Sequence, residues 1–193
     1  FNFLPMTPLW LDEAQSASLA GESFSSLVEA LRHDGHPPLY YFLLGVWADL
    51  FGNSDFALRA FSGSLGCAVI IMTWFTCRIH MGKKESVIAA SLIAASPFSI
   101  RYATEVRMYS LLIFLLLCVY LNFYRVTQRP NNKNRFLYAL TLACMLLTHY
   151  WSLFFVLVVI LSLLVKAKRT TGEERKEFKS LIAWSAGACI PFA

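Results

Sequence analysis

Residues 108–126, MYSLLIFLLLCVYLNFYRV, decide the fold class, because this apolar segment carries only one charged side chain, Arg125. About 18 or more apolar residues in a row are enough for a helix to cross the hydrocarbon core of a bilayer. The whole chain of 193 residues has this character: 57% of its residues are hydrophobic, 15% are charged, and mean hydropathy is +0.54. We therefore expect an all-α, polytopic bundle of transmembrane helices.

Other apolar segments extend the bundle on both sides of residues 108–126. The predicted spans and apolar runs are 57–79, 86–100, 136–148, 151–165 and the start of another at 180–193. Because the chain begins at Phe1 and ends inside an apolar run, we expect a piece of a longer protein that lacks segments at both ends. No signal peptide is recognisable in it.

The first part of the chain is more polar and predicts helices that lie on the membrane. Phe24, Leu27, Val28 and Leu31 repeat with the period of an amphipathic helix, which suits an interfacial position. Residues 37–52 are apolar but short, and they contain Asp49, so we expect a second interfacial helix there. The chain thus divides into an outer segment, 1–56, with interfacial helices and the Asp-Glu pair, and an incomplete transmembrane helix bundle, 57–193.

The distribution of charge predicts the orientation of this bundle. Thirteen of the 17 Lys and Arg residues lie in three segments, 78–84, 125–135 and 166–179. If the predicted spans alternate, all three segments face the cytoplasm, as the positive-inside rule requires. Anionic lipids of the inner leaflet are the expected partners of this excess of basic residues, so no nucleic-acid partner is needed to explain it.

Four polar clusters end up on the outer side: Asp12-Glu13, HDGHPPLYY (33–41), RYATEVRMY (101–109) and THY (148–150). Ionisable groups next to a membrane are candidates for a functional site. Each cluster also has a purely structural interpretation. Asp12 can be a helix N-cap with Gln15, and residues 36–38 can form a rigid turn before a helix. Glu105 can form an ion pair with a neighbouring Arg, and His149 can belong to an aromatic belt at the membrane interface. The functional interpretation makes Asp12 a general base, His36 and Arg107 phosphate ligands, and Arg59, Arg101, Tyr109 and His149 cavity residues.

In this order, LWLDEA (9–14), HPPLYYFLLGVWADLFGNSDFALRAFS (36–62), TEVRMYSLL (104–112) and LTHYWSLFF (147–155) resemble the membrane-embedded GT-C glycosyltransferases. The sequence is most similar to the dolichyl-phosphate-mannose-protein mannosyltransferase family, in the bacterial branch of the lipid A aminoarabinose and galacturonic acid transferases. The resemblance implies a GT-C type fold in a bacterial inner or plasma membrane. It also implies an active site on the periplasmic or extracellular side.

The resemblance further implies a transfer from a polyprenyl-phosphate sugar donor to a glycan, lipid or protein acceptor, with inversion. Asp12 is then the base with Glu13 beside it, and His36 and Arg107 hold the donor phosphate with Glu105 as the orienting partner of Arg107. Where some relatives have Lys, this chain has His36, so we expect this phosphate contact to be weaker or to depend on pH. No cofactor is assigned; a divalent metal is possible, but no ligand spacing identifies one. The alternatives are a transporter or flippase of lipid-linked sugars and a non-catalytic membrane scaffold.

Overall fold

The computed structural model describes residues 9–34 and 36–190, except for the side chains of residues 24 and 32–34. Residues 1–8 of the predicted outer segment and residues 191–193 of the predicted bundle lie outside these ranges. The described residues form α-helices and no strands, which confirms the expected all-α fold. In chain order the helices are α1 Leu11–Ala20, α2 Phe24–Asp34, α3 Leu39–Phe51, α4 Asp55–Cys77, α5 Lys83–Ala95, α6 Pro97–Thr104, α7 Tyr109–Gln128, α8 Asn132–Leu146, α9 Ser152–Arg169 and α10 Gly172–Gly187.

Two of these helices, α4 and α7, are long and apolar enough to cross a membrane. They match the predicted spans 57–79 and 108–126 to within about two residues. The third predicted span, 86–100, is broken, because α5 and α6 meet at Ser96 with a bend of 58°. Pro97 is the cause, since a proline lacks the N–H of a continuous helix but fits the first position of a new one. Counted as one span, the bent pair is a third crossing.

Helices α4 and α7 run in the same direction. At their starts, Glu13 binds both Arg59 in α4 and the backbone N–H of Val106 just before α7. At the other end, His80, which follows α4, is bonded to Tyr120 of α7, with Nε2 and Oη 2.6 Å apart. The bent pair α5–α6 therefore returns the chain to the starting level. We call the end with Glu13 the site end and the opposite end the basic end.

The predicted basic segments gather at the basic end. One groove brings Ile79 together with Tyr124 and Arg125, and a second groove brings Pro130 together with Lys166 and Arg169. All three segments therefore lie at this end of the bundle. Residues 166–179 were expected to form a loop, but most of them are helical. Lys166, Lys168 and Arg169 lie in the last turn of α9, where the helix dipole stabilises positive charge. Helix α10 starts at Gly172, eight residues before the predicted span 180–193.

Helices α1 to α3 cover the site end. The predicted amphipathic helix is α2, with Leu27 and Leu31 buried. Helix α3 has 13 residues, too few to cross a bilayer, and it packs closely on α1: a Cβ at Gly45 would lie 2.6 Å from the carbonyl oxygen of Ala20. Trp47 Nε1 donates to the carbonyl of Ala57 at 2.8 Å and so fixes α3 to the start of α4.

Candidate active site

Glu13 is a fully buried carboxylate that joins three parts of the chain. Its Oε2 accepts a hydrogen bond from Arg59 Nη2 at 2.8 Å, and its Oε1 accepts one from the backbone N–H of Val106 at 3.0 Å. The backbone N–H of Trp10 donates to Oε2 at 3.3 Å. Glu13 has 0% and Arg59 2% of its surface exposed, so this ion pair is closed to solvent. It fixes α1 to α4 and to the loop before α7.

Asp12, the neighbour of Glu13, points instead at Arg107. Asp12 Oδ2 lies 2.7 Å from Arg107 Nη1, and the two side chains are 37% and 18% exposed. Both residues were predicted as site residues from separate clusters, and the fold brings them into direct contact. This pair remains accessible to a substrate, whereas the Glu13–Arg59 pair does not.

Arg107 is the centre of the polar cluster. Its guanidinium carbon lies 5.6 Å from the centroid of the Tyr109 ring, within cation–π range. Burial acts to lower the pKa of Arg107, but the neighbouring Tyr109 hydroxyl and the charge of Asp12 outweigh it and raise the pKa, so the cation is permanent. In the part of the chain that the structure describes, Nε of Arg107 is buried without a hydrogen-bond partner.

Two imidazoles lie close to this cation. His36 packs edge-on against Tyr41 with 6.5 Å between ring centroids, and His149 lies 6.2 Å from Tyr109 by the same measure. Burial lowers the pKa of His149, and the charges of His36 and Arg107 lower it further. The site end therefore holds a carboxylate, a guanidinium and two imidazoles in one cluster.

Two interpretations drawn from the sequence are wrong. Asp12 is not the N-cap of α1: Trp10 holds that position, and Glu13, three residues on, makes the reach-back contact to the backbone. Glu105 does not orient Arg107. It binds Arg101, with Oε1 and Nε 2.8 Å apart, because residues four apart on a helical turn are neighbours, and this leaves Asp12 as the carboxylate partner of Arg107.

Two further predicted residues, Arg101 and Arg59, differ in exposure. The side chain of Arg101 is 68% exposed at the surface, whereas Arg59 is closed off from solvent with Glu13. The partnership of Glu13 with Arg59 gives no signal in the sequence, because the two residues are 46 positions apart. No cluster of three or more His, Cys, Asp or Glu side chains in the described ranges could hold a metal ion.

Comparisons with known proteins cover most of the chain. Residues 35–192 match the family model described as dolichyl-phosphate-mannose-protein mannosyltransferase. An uncharacterized protein of Aquifex aeolicus (strain VF5) is 23% identical over 144 residues, which make up 72% of this chain and 28% of that protein. The chain thus spans less than a third of this relative's length. No solved structure matches the chain. His36, Arg107 and His149 lie inside the family match, whereas Asp12 and Glu13 precede it.

Proposed function

The chain belongs to the dolichyl-phosphate-mannose-protein mannosyltransferase family, and on this basis we propose that it carries the catalytic end of a membrane glycosyltransferase. The donor is a polyprenyl-phosphate sugar and the acceptor a hydroxyl or amine of a glycan, lipid or protein. The order of the HPPLYY and E-x-R-x-Y segments favours the bacterial branch that modifies lipid A. The basic end faces the cytoplasm by the positive-inside rule, so the reaction takes place at the periplasmic or extracellular face.

The observation that carries this proposal is the contact between Asp12 and Arg107. Without substrate, the guanidinium of Arg107 is neutralised by the carboxylate of Asp12 at 2.7 Å. A donor phosphate is an anion of matching geometry and competes with that carboxylate for the guanidinium. When the phosphate takes the place of Asp12, the carboxylate is released next to the sugar. Donor binding thus both positions the leaving group and frees the base.

The chemistry then follows in one displacement. The acceptor oxygen or nitrogen attacks the anomeric carbon while the bond from that carbon to the phosphate oxygen breaks, and Asp12 takes the acceptor proton. The polyprenyl phosphate leaves with the bonding electrons, and Arg107 stabilises the charge that develops on it. Attack and departure on opposite faces invert the anomeric centre. Burial of Glu13, the next residue of α1, keeps Asp12 at the rim of the site.

A transfer assay with a radiolabelled polyprenyl-phosphate sugar tests the proposal. We expect the wild-type protein in proteoliposomes to form a labelled product with inverted anomeric configuration by NMR. Asp12→Asn should lower turnover by a factor of about 10² to 10⁴, the usual loss for a general base. Asp49→Asn, which makes the same change at an exposed position of α3, is the matched control and should leave turnover unchanged.

Three outcomes would contradict the proposal. Turnover of Asp12→Asn within threefold of the wild type removes the base role. Retention of configuration removes the single displacement. Movement of the labelled lipid across the bilayer without a new glycosidic bond identifies a flippase of lipid-linked sugars instead.

A further inference from the structure

His149 holds a second imidazole beside Arg107, and the mechanism above does not use it. Helix α8 ends at Leu146, and the turn that follows is fixed by two bonds: the backbone N–H of Leu39 donates to the carbonyl of Leu147 at 2.9 Å, and Ser152 Oγ donates to the carbonyl of Met145 at 3.0 Å. The first of these bonds joins the turn to the start of α3. His36 lies three residues before Leu39, so one backbone bond positions both imidazoles.

The hydrogen bonds of His149 define which ring nitrogen faces outward. The backbone N–H of Trp151 donates to His149 Nδ1 at 3.2 Å. An accepting Nδ1 carries no proton, so the neutral ring carries its proton on Nε2. Nε2 is therefore the donor that His149 can offer to a ligand.

The surroundings of His149 favour an anion. His149 and Arg107 both lie near the ring of Tyr109, and the charges of His36 and Arg107 both act on His149. Asp12 supplies the negative charge closest to this group, and it is already paired with Arg107. The titratable and charged groups around His149 in the described residues are Asp12 on α1, His36 and Tyr41 at the start of α3, Arg107 and Tyr109 at the start of α7, and Tyr150 next to it.

We infer that His149 is a binding residue for the donor phosphate: with His36 and Arg107 it forms a three-sided cradle, and it takes up a proton when the phosphate binds. This inference rests on the proposed function. In the free protein, burial and the neighbouring positive charges keep the pKa of His149 below its ordinary value, so the ring is neutral at pH 7. A phosphate within hydrogen-bond distance of Nε2 favours the protonated ring and raises the pKa. The second proton goes to Nδ1, which then no longer accepts the hydrogen bond from the backbone N–H of Trp151.

The sign of the pH dependence follows from these two states. The bound state holds one more proton than the free state at pH values between the two pKa values of His149. Affinity for the phosphate therefore rises as pH falls through this range. Because only one proton is taken up, the affinity for the phosphate changes at most tenfold for each pH unit.

Direct binding of a polyprenyl methyl phosphate tests this inference. As a diester, the probe keeps one negative charge over this pH range, so any pH dependence belongs to the protein. It also needs no sugar and no acceptor. We expect the wild-type protein in nanodiscs to bind the probe more tightly at pH 6 than at pH 8.

Two substitutions of His149 separate a phosphate contact from a structural role. In His149→Asn the amide oxygen replaces Nδ1 as the acceptor for Trp151, but nothing replaces Nε2. In His149→Gln the amide nitrogen replaces Nε2 as a neutral donor, but the acceptor is lost. We expect the Asn variant to bind about three- to tenfold more weakly at pH 6, and both variants to lose the part of the pH dependence that His149 supplies.

His80→Gln is the matched control, because this imidazole lies at the basic end and is bonded to Tyr120. It should bind like the wild type at every pH. Wild-type affinity and wild-type pH dependence in His149→Asn, or a loss of affinity in the Gln variant alone, would overturn the role of His149 and leave the proposed function standing. Failure of the wild type to bind the probe would overturn both.

Discussion

Replacement of Glu13 by Gln gives the sharpest test of how the site is held together. The substitution keeps the shape of the side chain but removes the charge that compensates Arg59, which is 2% exposed. It also replaces one acceptor oxygen by a donor NH₂ that faces other donors: Oε1 accepts from Val106 and Arg59, and Oε2 from Trp10 and Arg59. Loss of one partner from a buried ion pair costs about 3 to 5 kcal/mol.

The assay is equilibrium unfolding in mixed micelles, followed by far-ultraviolet circular dichroism. The matched control is Glu173→Gln, which removes the carboxylate of an ion pair with Lys176 whose side chains are 82% and 72% exposed. An exposed pair contributes about 0 to 1 kcal/mol, so this control should unfold almost like the wild type. The two variants make the same chemical change, one in a buried ion pair and the other in an exposed one.

A double variant, Glu13→Leu with Arg59→Met, checks the cause. If the uncompensated charge of Arg59 dominates, removing both ionic groups restores part of the stability. Recovery stays incomplete, because the backbone N–H groups of Val106 and Trp10 then lack their acceptor, at about 1 to 3 kcal/mol for each buried group. A Glu13→Gln variant within 1 kcal/mol of the wild type would refute the reasoning, since an ion pair that the fold closes to solvent cannot be cut at so small a cost.

Three further predictions concern the site and the bundle. Asp12→Asn should bind a polyprenyl methyl phosphate about two- to tenfold more tightly in a nanodisc titration, since the lost pair is partly exposed and contributes roughly 0.5 to 1.4 kcal/mol; weaker binding contradicts the competition for Arg107. Arg107→Ala should raise KM for the donor about tenfold or more and change KM for the acceptor little; equal changes indicate a purely structural ion pair. Gly66→Ala should destabilise the protein by about 1 to 3 kcal/mol in the unfolding assay, because the new Cβ lies 2.6 Å from Cβ of Ala103. Gly187→Ala, with nothing within 4 Å, should have no such packing cost, and equal losses refute the packing argument.

Local sequence patterns were enough to predict most of the fold. The lengths of the apolar runs predicted the ends of α4 and α7 to within about two residues. The helical repeat that includes Leu27 and Leu31 predicted the buried face of α2. These features depend on residues that are neighbours in the chain, so periodicity reveals them. The break at Ser96 was missed although Pro97 was visible, because a proline late in an apolar run is compatible with the end of one span or with the start of a second helix.

The charge pattern carried information of longer range. Alternating spans and the positive-inside rule predicted that Asp12 and Arg107 lie at one end of the bundle, and the structure shows them in contact. Neither rule could predict which acid meets which base, because that choice depends on how α1 is rotated about its axis and on the path of the loop before α7. The assignment of Glu105 to Arg107 failed for this reason: Arg101, one helical turn away, was the nearer partner.

That rotation also explains why the chain needs two adjacent carboxylates. Successive residues of an α-helix point about 100° apart, so Asp12 and Glu13 cannot face the same partner. Glu13 faces the interior and binds Arg59 and Val106, whereas Asp12 faces the rim and contacts Arg107. In the proposed mechanism a phosphate replaces Asp12 at Arg107. A carboxylate that must exchange partners during a reaction cannot also hold the helix in place. Division of the two tasks between neighbouring residues lets the helix stay rigid while one acid moves, so the loss of Glu13 should reduce stability and the loss of Asp12 should reduce turnover.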